Sequence, residues 1–385
     1  MRGALGLGYD RAGATRPAAP GRCAGLTRVE VAVVGAGPAG LCAAVAAAGQ
    51  GARVLVLDDA HHPGGQLTKQ THKFFGSRRQ RAGTRGIELA GVLAGEAREQ
   101  GVEFWPASTA LGYYPADGVL TVDRGGRFLK VRPDALVIAT GASERMLAFP
   151  GNDLPGVYGA GAVQTLMNVY GVRPGRRVLM VGAGNIGLIV SYQLVQAGVE
   201  VAAVVEAAPR IGGYAVHASK LRRLGVPILV SHSVKAAYGS PAVEMASIWQ
   251  LDERWEGVAG SERRLSCDAI GLAVGLSPLT DLLWQAGCAM RYVAELGGHV
   301  PVRDEVGETS VPGVYVAGDA GGVEEASSAM ATGRLAGLGA SRRLGYAAGY
   351  EEAVEETRAD LAALRQGPTA GKIRRGLQLL REGAG

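Results

Sequence analysis

The fold turns on residues 29–58, VEVAVVGAGPAGLCAAVAAAGQGARVLVLD. A β-branched run leads into Gly35, Gly37 and Gly40, and Leu41, Val45 and Ala48 then recur at helical spacing. Gly49 and Gly51 close the helix ahead of a second apolar strand that ends on Asp58. In such a strand–turn–helix–strand unit the first glycine makes the tight turn and the second lets backbone approach a pyrophosphate. The third lets helix pack on strand, and the helix N-terminus offers N–H groups to the phosphates. The closing acid accepts hydrogen bonds from ribose hydroxyls.

The unit occurs twice. RRVLMVGAGNIGLIVSYQLVQAGVEVAAVVE, residues 176–206, carries Gly182, Gly184 and Gly187, each 147 positions after its counterpart, and ends on Glu206. Its helical face is marked by Ile189, Leu194 and Ala197. An acid there repels a 2′-phosphate, so the second site is expected to take NAD rather than NADP, although Arg210 stands close by. Two further strands run into glycine turns, ALVIATGAS at 135–143 and AIGLAVGLS at 269–277, and a last one reads VYVAGDAGG at 314–322. Assigning the last strand to the first unit makes the second domain an insertion.

The expected class is therefore α/β, with two Rossmann-like dinucleotide-binding domains, one inserted into the other, and a helical C-terminal tail. The expected boundaries are 1–27 for a disordered extension, 28–150 and 269–345 for the first domain, 151–268 for the inserted one and 346–385 for the tail. A length of 385 residues suits two domains. In the tail, YEEAVEETRADLAALRQ at 350–366 reads as a helix with an acidic start, and a Gly-Pro break follows at 367 and 368. Ile373, Leu377 and Leu380 then share one face, suited to packing or to docking a partner.

The net charge of +5 is mostly local, because residues 1–28 hold five arginines against Asp10. With no basic reading motif elsewhere, nucleic acid is not an expected partner. No run reaches the length of a membrane span. Cysteines at 23, 42, 267 and 288 show no metal or cluster spacing, so no metal is expected and a reducing, cytoplasmic compartment fits.

The order VVGAGPAGL, ATGAS, VGAGNIGL, AVGLSP and VPGVYVAGDA resembles the two-dinucleotide-binding-domain flavoproteins of the pyridine-nucleotide disulfide reductase superfamily over residues 28–340. The resemblance implies FAD on Gly35, Gly37, Pro38, Ala39, Gly40, Asp58, Gly65, Gln66, Thr140, Gly141, Gly318, Asp319, Glu325 and Ala326, with Asp319 on the ribityl chain. It implies NAD(H) on Gly182, Gly184, Asn185, Ile186, Gly187, Glu206 and Gly275. GGQL at 64–67 is similar to thioredoxin reductases, but the Cys-x-x-Cys pair of those enzymes is absent. Cys42 lies beside the apolar face of the first helix and reads as a small core residue.

GVYGAGAVQTLMNVYGVRPGRR at 156–177 and EEASSAMATGRLAG at 324–337 are more similar to the flavoprotein subunits of multi-subunit amino-acid dehydrogenases, such as opine oxidase, hydrogen cyanide synthase and dye-linked proline dehydrogenase. That resemblance implies an oligomer with a partner dehydrogenase and an iron–sulfur subunit on separate chains, acting on a small-molecule substrate. A stand-alone NADH-dependent flavin reductase and a non-catalytic nucleotide-binding scaffold remain alternatives.

KQTHKFFGSRRQRAGTRG at 69–86 sits in a stretch without acids between Asp59 and Glu88 and carries six positive charges. It reads either as a loop over the flavin that binds an anionic substrate, with Lys69 or His72 as weak catalytic candidates, or as a solvated connector.

Overall fold

The computed structural model describes residues 25–74, 77–367 and 370–382. The strand Leu26–Val34 starts before the expected boundary at residue 27. Residues 1–24 of the expected extension, with Cys23, lie outside the described residues, as do Phe75, Gly76 and Pro368.

Leu26–Val34 pairs in parallel with Val54–Leu57 on one side and Arg127–Ile138 on the other. Glu103–Trp105 extends the first side, and Val314–Val316 pairs with Arg127–Ile138, so VYVAGDA returns to the sheet begun by the first fingerprint. Ser108–Tyr114 and Val119–Arg124 complete the sheet as an antiparallel meander. Alternate residues serve opposite faces: Val31 and Val33 pack with Leu41 and Ala44 of the first helix, while Ala32 and Val34 pack with Leu55 and Leu283.

The helix Pro38–Gly49 lies against Ala326–Arg343 at two glycines. A Cβ on Gly333 would fall 2.0 Å from the Ala39 carbonyl oxygen, and one on Gly337 would fall 2.2 Å from that of Ala43. The contacts advance together along both chains, so the helices run parallel. At 1.5 Å per residue, Ala326 stands about 9 Å beyond the start of the fingerprint helix. Two helix N-termini thus face the same end of the sheet in a staggered pair.

The second sheet is wholly parallel, in the order Ile228–Val230, Glu200–Glu206, Arg177–Val181, Ala269–Leu272, Val157–Gly159. Helices cover one face, and a meander of His232–Tyr238, Met245–Gln250 and Arg263–Ser266 covers the other. The boundary expected at 268/269 falls too early, because Ala269–Leu272 is an interior strand of this second sheet. The crossings are Ala142–Glu144 and Leu276–Pro278, which pair antiparallel as a ribbon between the two lobes. The insertion is bounded by that ribbon rather than by 151 and 268.

Helices Tyr350–Leu364 and Gly371–Glu382 finish the chain. Leu380, with Ile373 and Leu377, packs on Val293, Leu296 and Val300 of the same chain. No helix among the described residues is long and apolar enough to cross a membrane.

Candidate functional site

The two fingerprint turns are built alike. Gly35 has φ 103° and Gly182 has φ 106°, and a Cβ on either would sit 2.3 Å from a carbonyl oxygen, that of Ala139 and of Ala273 respectively. Gly40 and Gly187 are equally constrained, since a Cβ would lie 1.8 Å from Gly35 O and 2.0 Å from Gly182 O. These four glycines are explained by the fold alone.

Gly37 and Gly184 are different. They precede helices Pro38–Gly49 and Asn185–Gln196 with φ of −74° and −72°, backbone that any residue can adopt. A Cβ on Gly37 would meet nothing closer than Gly65 Cα at 4.0 Å, and one on Gly184 would meet nothing within 4 Å. Neither backbone strain nor a neighbouring protein atom calls for glycine there. An external group pressed against the first turn of each helix, where N–H groups lack intrahelical partners, would do so. The residues present therefore fit a pyrophosphate at both turns.

Each closing acid holds its own turn. Asp58 accepts from Ala36 N at 2.5 Å and Ala60 N at 2.8 Å; Glu206 accepts from Ala183 N at 2.7 Å and Ala208 N at 3.0 Å. Burial pushes the Asp58 carboxyl above its ordinary range, against the lowering effect of the two N–H donors. Each carboxylate retains acceptor capacity for a ribose hydroxyl. Six residues beyond each acid stands a Gly–Gly pair that packs on the fingerprint. Gly64 N donates to Ala36 O at 2.8 Å and Gly213 N donates to Ala183 O at 3.0 Å, while a Cβ on Gly65 would lie 2.8 Å from Gly37 Cα. The internal repeat thus runs further than the glycine triplets, and the doubled Gly–Gly was its overlooked signal.

Gly318, with φ 64°, abuts Ala39 so tightly that a Cβ would lie 2.7 Å from that side chain. This contact holds the residue before Asp319 against the first turn of the fingerprint helix. Burial pushes the Asp319 carboxyl up to about 6, and its one donor among the described residues is Glu324 N at 3.2 Å. A buried carboxylate with spare acceptor capacity suits a polyol hydroxyl.

The other candidates serve in several ways. Thr140 donates its hydroxyl to Leu279 O at 2.7 Å and so ties together the two chain crossings. Gly141 (φ 75°) and Gly275 (φ 118°) make the turns that follow. Asn185 accepts from Tyr214 N at 2.8 Å, and the Tyr214 hydroxyl donates to Glu325, just before Ala326, at 2.8 Å. Gln66 and Ile186 are exposed.

Lys69 bridges the lobes: its ammonium, lowered in pKa by burial, donates to Gly161 O at 3.1 Å beside Glu144, and its carbonyl accepts from Asn168 at 2.6 Å. Glu144, which the sequence did not single out, accepts from Gly161 N at 2.5 Å and Ala162 N at 3.1 Å, capping Ala160–Asn168. His72 stacks on Phe74, and burial together with the charges of His217 and Lys220 keeps its pKa down. Nδ1 of His72 is buried without a partner among the described residues.

Three of the six cations of the basic stretch pair with this chain's own acids. Arg79 pairs with Glu356 at 2.6 Å and Asp360 at 3.2 Å, Arg81 pairs with Glu96, and Arg85 pairs with Glu88 at 4.0 Å. These contacts favour the connector reading over an anion-binding loop.

Burial pushes Cys42 up to about 12 and Cys267 up to about 11, and the three described cysteines are unpaired. No cluster of three or more His, Cys, Asp or Glu suited to a metal occurs among the described residues.

The sequence profile described as pyridine nucleotide-disulphide oxidoreductase matches residues 29–333. An opine oxidase subunit from Agrobacterium tumefaciens is 33% identical over 80% of this chain and 64% of its own length. Hydrogen cyanide synthase subunit HcnB of Pseudomonas protegens is 26% identical over 80% of this chain and 69% of its own. The crystal structure of L-proline dehydrogenase from P. horikoshii superposes with a TM-score of 0.65 at 25% identity, over 86% of this chain and 60% of that one. The chain spans less than two thirds of the length of the opine oxidase subunit and of the proline dehydrogenase chain.

Proposed function

Because this chain belongs to the pyridine nucleotide-disulphide oxidoreductase family, we propose that it is an FAD-dependent oxidoreductase, the flavin-bearing, electron-passing subunit of an amine or amino-acid dehydrogenase assembly. The observation that carries the nucleotide part of this reading is the open cradle at Gly37, repeated at Gly184. The assembly part rests on relatives that are subunits of an opine oxidase and a hydrogen cyanide synthase.

In this reading the first turn of Pro38–Gly49 holds the FAD pyrophosphate, Asp58 takes the adenosine ribose and Asp319 takes the ribityl hydroxyls. The N-terminus at Ala326, about 9 Å along the parallel helix, would offer further N–H groups to the bound FAD. Bound FAD supplies the redox chemistry, two-electron hydride acceptance and release. The chain's own residues position it and keep sulfur out of the path. Gly182, Gly184 and Glu206 hold a second adenine dinucleotide, NAD in preference to NADP because of the acid. Lys69 and Glu144 fix the lobes against each other, and neither is assigned a proton-transfer role.

The test is anaerobic reduction of the FAD-reconstituted chain. Slow reduction by NADH alone, but rapid reduction by an amino acid once co-purifying subunits are added, supports the proposal. Rapid bleaching by NADH without partners replaces it with a stand-alone reductase.

A further inference from the structure

A cavity of about 80 Å³ lies under the C-terminal helices, and its wall includes Arg303, Arg365 and Arg381 over the apolar side chains of Leu361, Leu377 and Leu380. Arg365 and Arg381 lie beyond the residues that the family profile matches. Arg365 is satisfied, since it forms a two-pronged ion pair with Glu324 at 2.9 and 2.5 Å. Arg303 is not. Of its five donors one reaches a protein acceptor, Pro301 O at 3.2 Å, and among the described residues no carboxylate lies within salt-bridge distance of it or of Arg381.

The acids on the rim are engaged elsewhere. Glu305 pairs with Arg358 at 2.7 Å, and Asp304 accepts from Val306 N and Glu308 N. The Thr332 hydroxyl is also spent, on Gly318 N and Ala329 O. Burial, with Arg365 and Arg381 adding to it against the attraction of Glu324, brings the Arg303 pKa down to about 10. Arg303 is half-buried and keeps guanidinium N–H groups without a protein acceptor among the described residues, beside Arg365 and Arg381, and an oxyanion would take them up through forked, charge-assisted hydrogen bonds.

We propose that Arg303 and Arg381, with Arg365, form a binding site for a single phosphate or carboxylate group, separate from both dinucleotide turns. The site abuts the loop that carries Asp319: Arg303 Cζ is 3.3 Å from the position of a Cβ on Gly321, and the Glu324 held by Arg365 is the residue whose N–H meets Asp319. An occupant therefore stiffens the backbone behind the flavin site.

The FAD-reconstituted full chain is titrated calorimetrically with inorganic phosphate at constant ionic strength, with acetate and chloride in parallel. Saturable one-site binding of phosphate or acetate that weakens at least tenfold in Arg381→Gln, an exposed position, supports the site. The tighter of the two ligands identifies the class of group it takes. Arg303→Gln is expected to weaken binding by at least as much. Phosphate heats no different from those of chloride, or binding unchanged by both substitutions as for an anion held at a fingerprint turn, would overturn it.

Discussion

Asp319→Asn separates what the fold tolerates from what the site requires. The carboxyl is enclosed without a cation, and burial raises it from 3.8 to about 6, so ionising it in the folded chain costs free energy. A shift of roughly two units corresponds to about 3 kcal/mol at neutral pH. That penalty is absent only well below pH 3.8, where the group is protonated in folded and unfolded chains alike, and it builds from about pH 3.8 to its full size as pH rises through 6. Asparagine keeps an oxygen for Glu324 N and carries no charge. The flavin-free Asn variant should therefore be more stable than wild type by up to about 3 kcal/mol at pH 7.5, and the gap should narrow toward pH 4. Urea unfolding at both pH values measures it, and the buried histidines cancel in the difference. The same variant should bind FAD about tenfold more weakly, having lost a charge-assisted acceptor. An Asn variant less stable than wild type at pH 7.5 would refute the reasoning, because the carboxylate would then have a stabilising partner in the folded chain.

Gly333→Val places a side chain where even a Cβ would lie 2.0 Å from Ala39 O, so it should cost about 3 kcal/mol in urea unfolding and release FAD by separating the two helices. Lys69→Met removes the interlobe bond to Gly161 O and should lower stability by about 1–2 kcal/mol, while substrate-driven flavin reduction changes less than about threefold. Iodoacetamide at pH 7.5 should leave Cys42, Cys267 and Cys288 unlabelled in the native chain and the reduction rate unchanged; mass spectrometry checks the first and flavin absorbance of the treated chain during reduction the second.

The parts of the fold that depend on local pattern were legible in the sequence. The glycine triplets and the closing acids follow from turn sterics and strand periodicity. What escaped reading depends on pairing across distance. The assignment of Ala269–Leu272 to the second sheet is decided by its neighbours Arg177–Val181 and Val157–Gly159, because an apolar run reads alike in either sheet. The basic stretch carries a charge that can be counted from sequence, but its partners Glu356 and Asp360 arrive from a helix almost 300 residues downstream. Glu144 gave no sequence signal, since its role is to cap a helix that begins sixteen residues later. The Gly–Gly pairs at 64–65 and 212–213 could have been found, as both stand six residues after the closing acid.

The most direct test is an FAD titration of wild type and Gly37→Ala, followed by flavin fluorescence and absorption. The Ala methyl meets no protein atom closer than 4.0 Å and the backbone at φ −74° accepts it, so the variant should unfold at the wild-type urea concentration or slightly above it. Wild type should bind one FAD per chain, with shifted flavin bands, and the Ala variant should bind at least a hundredfold more weakly. Equal FAD affinity in the two proteins, or no binding by wild type, would contradict the assignment of that open cradle to a pyrophosphate.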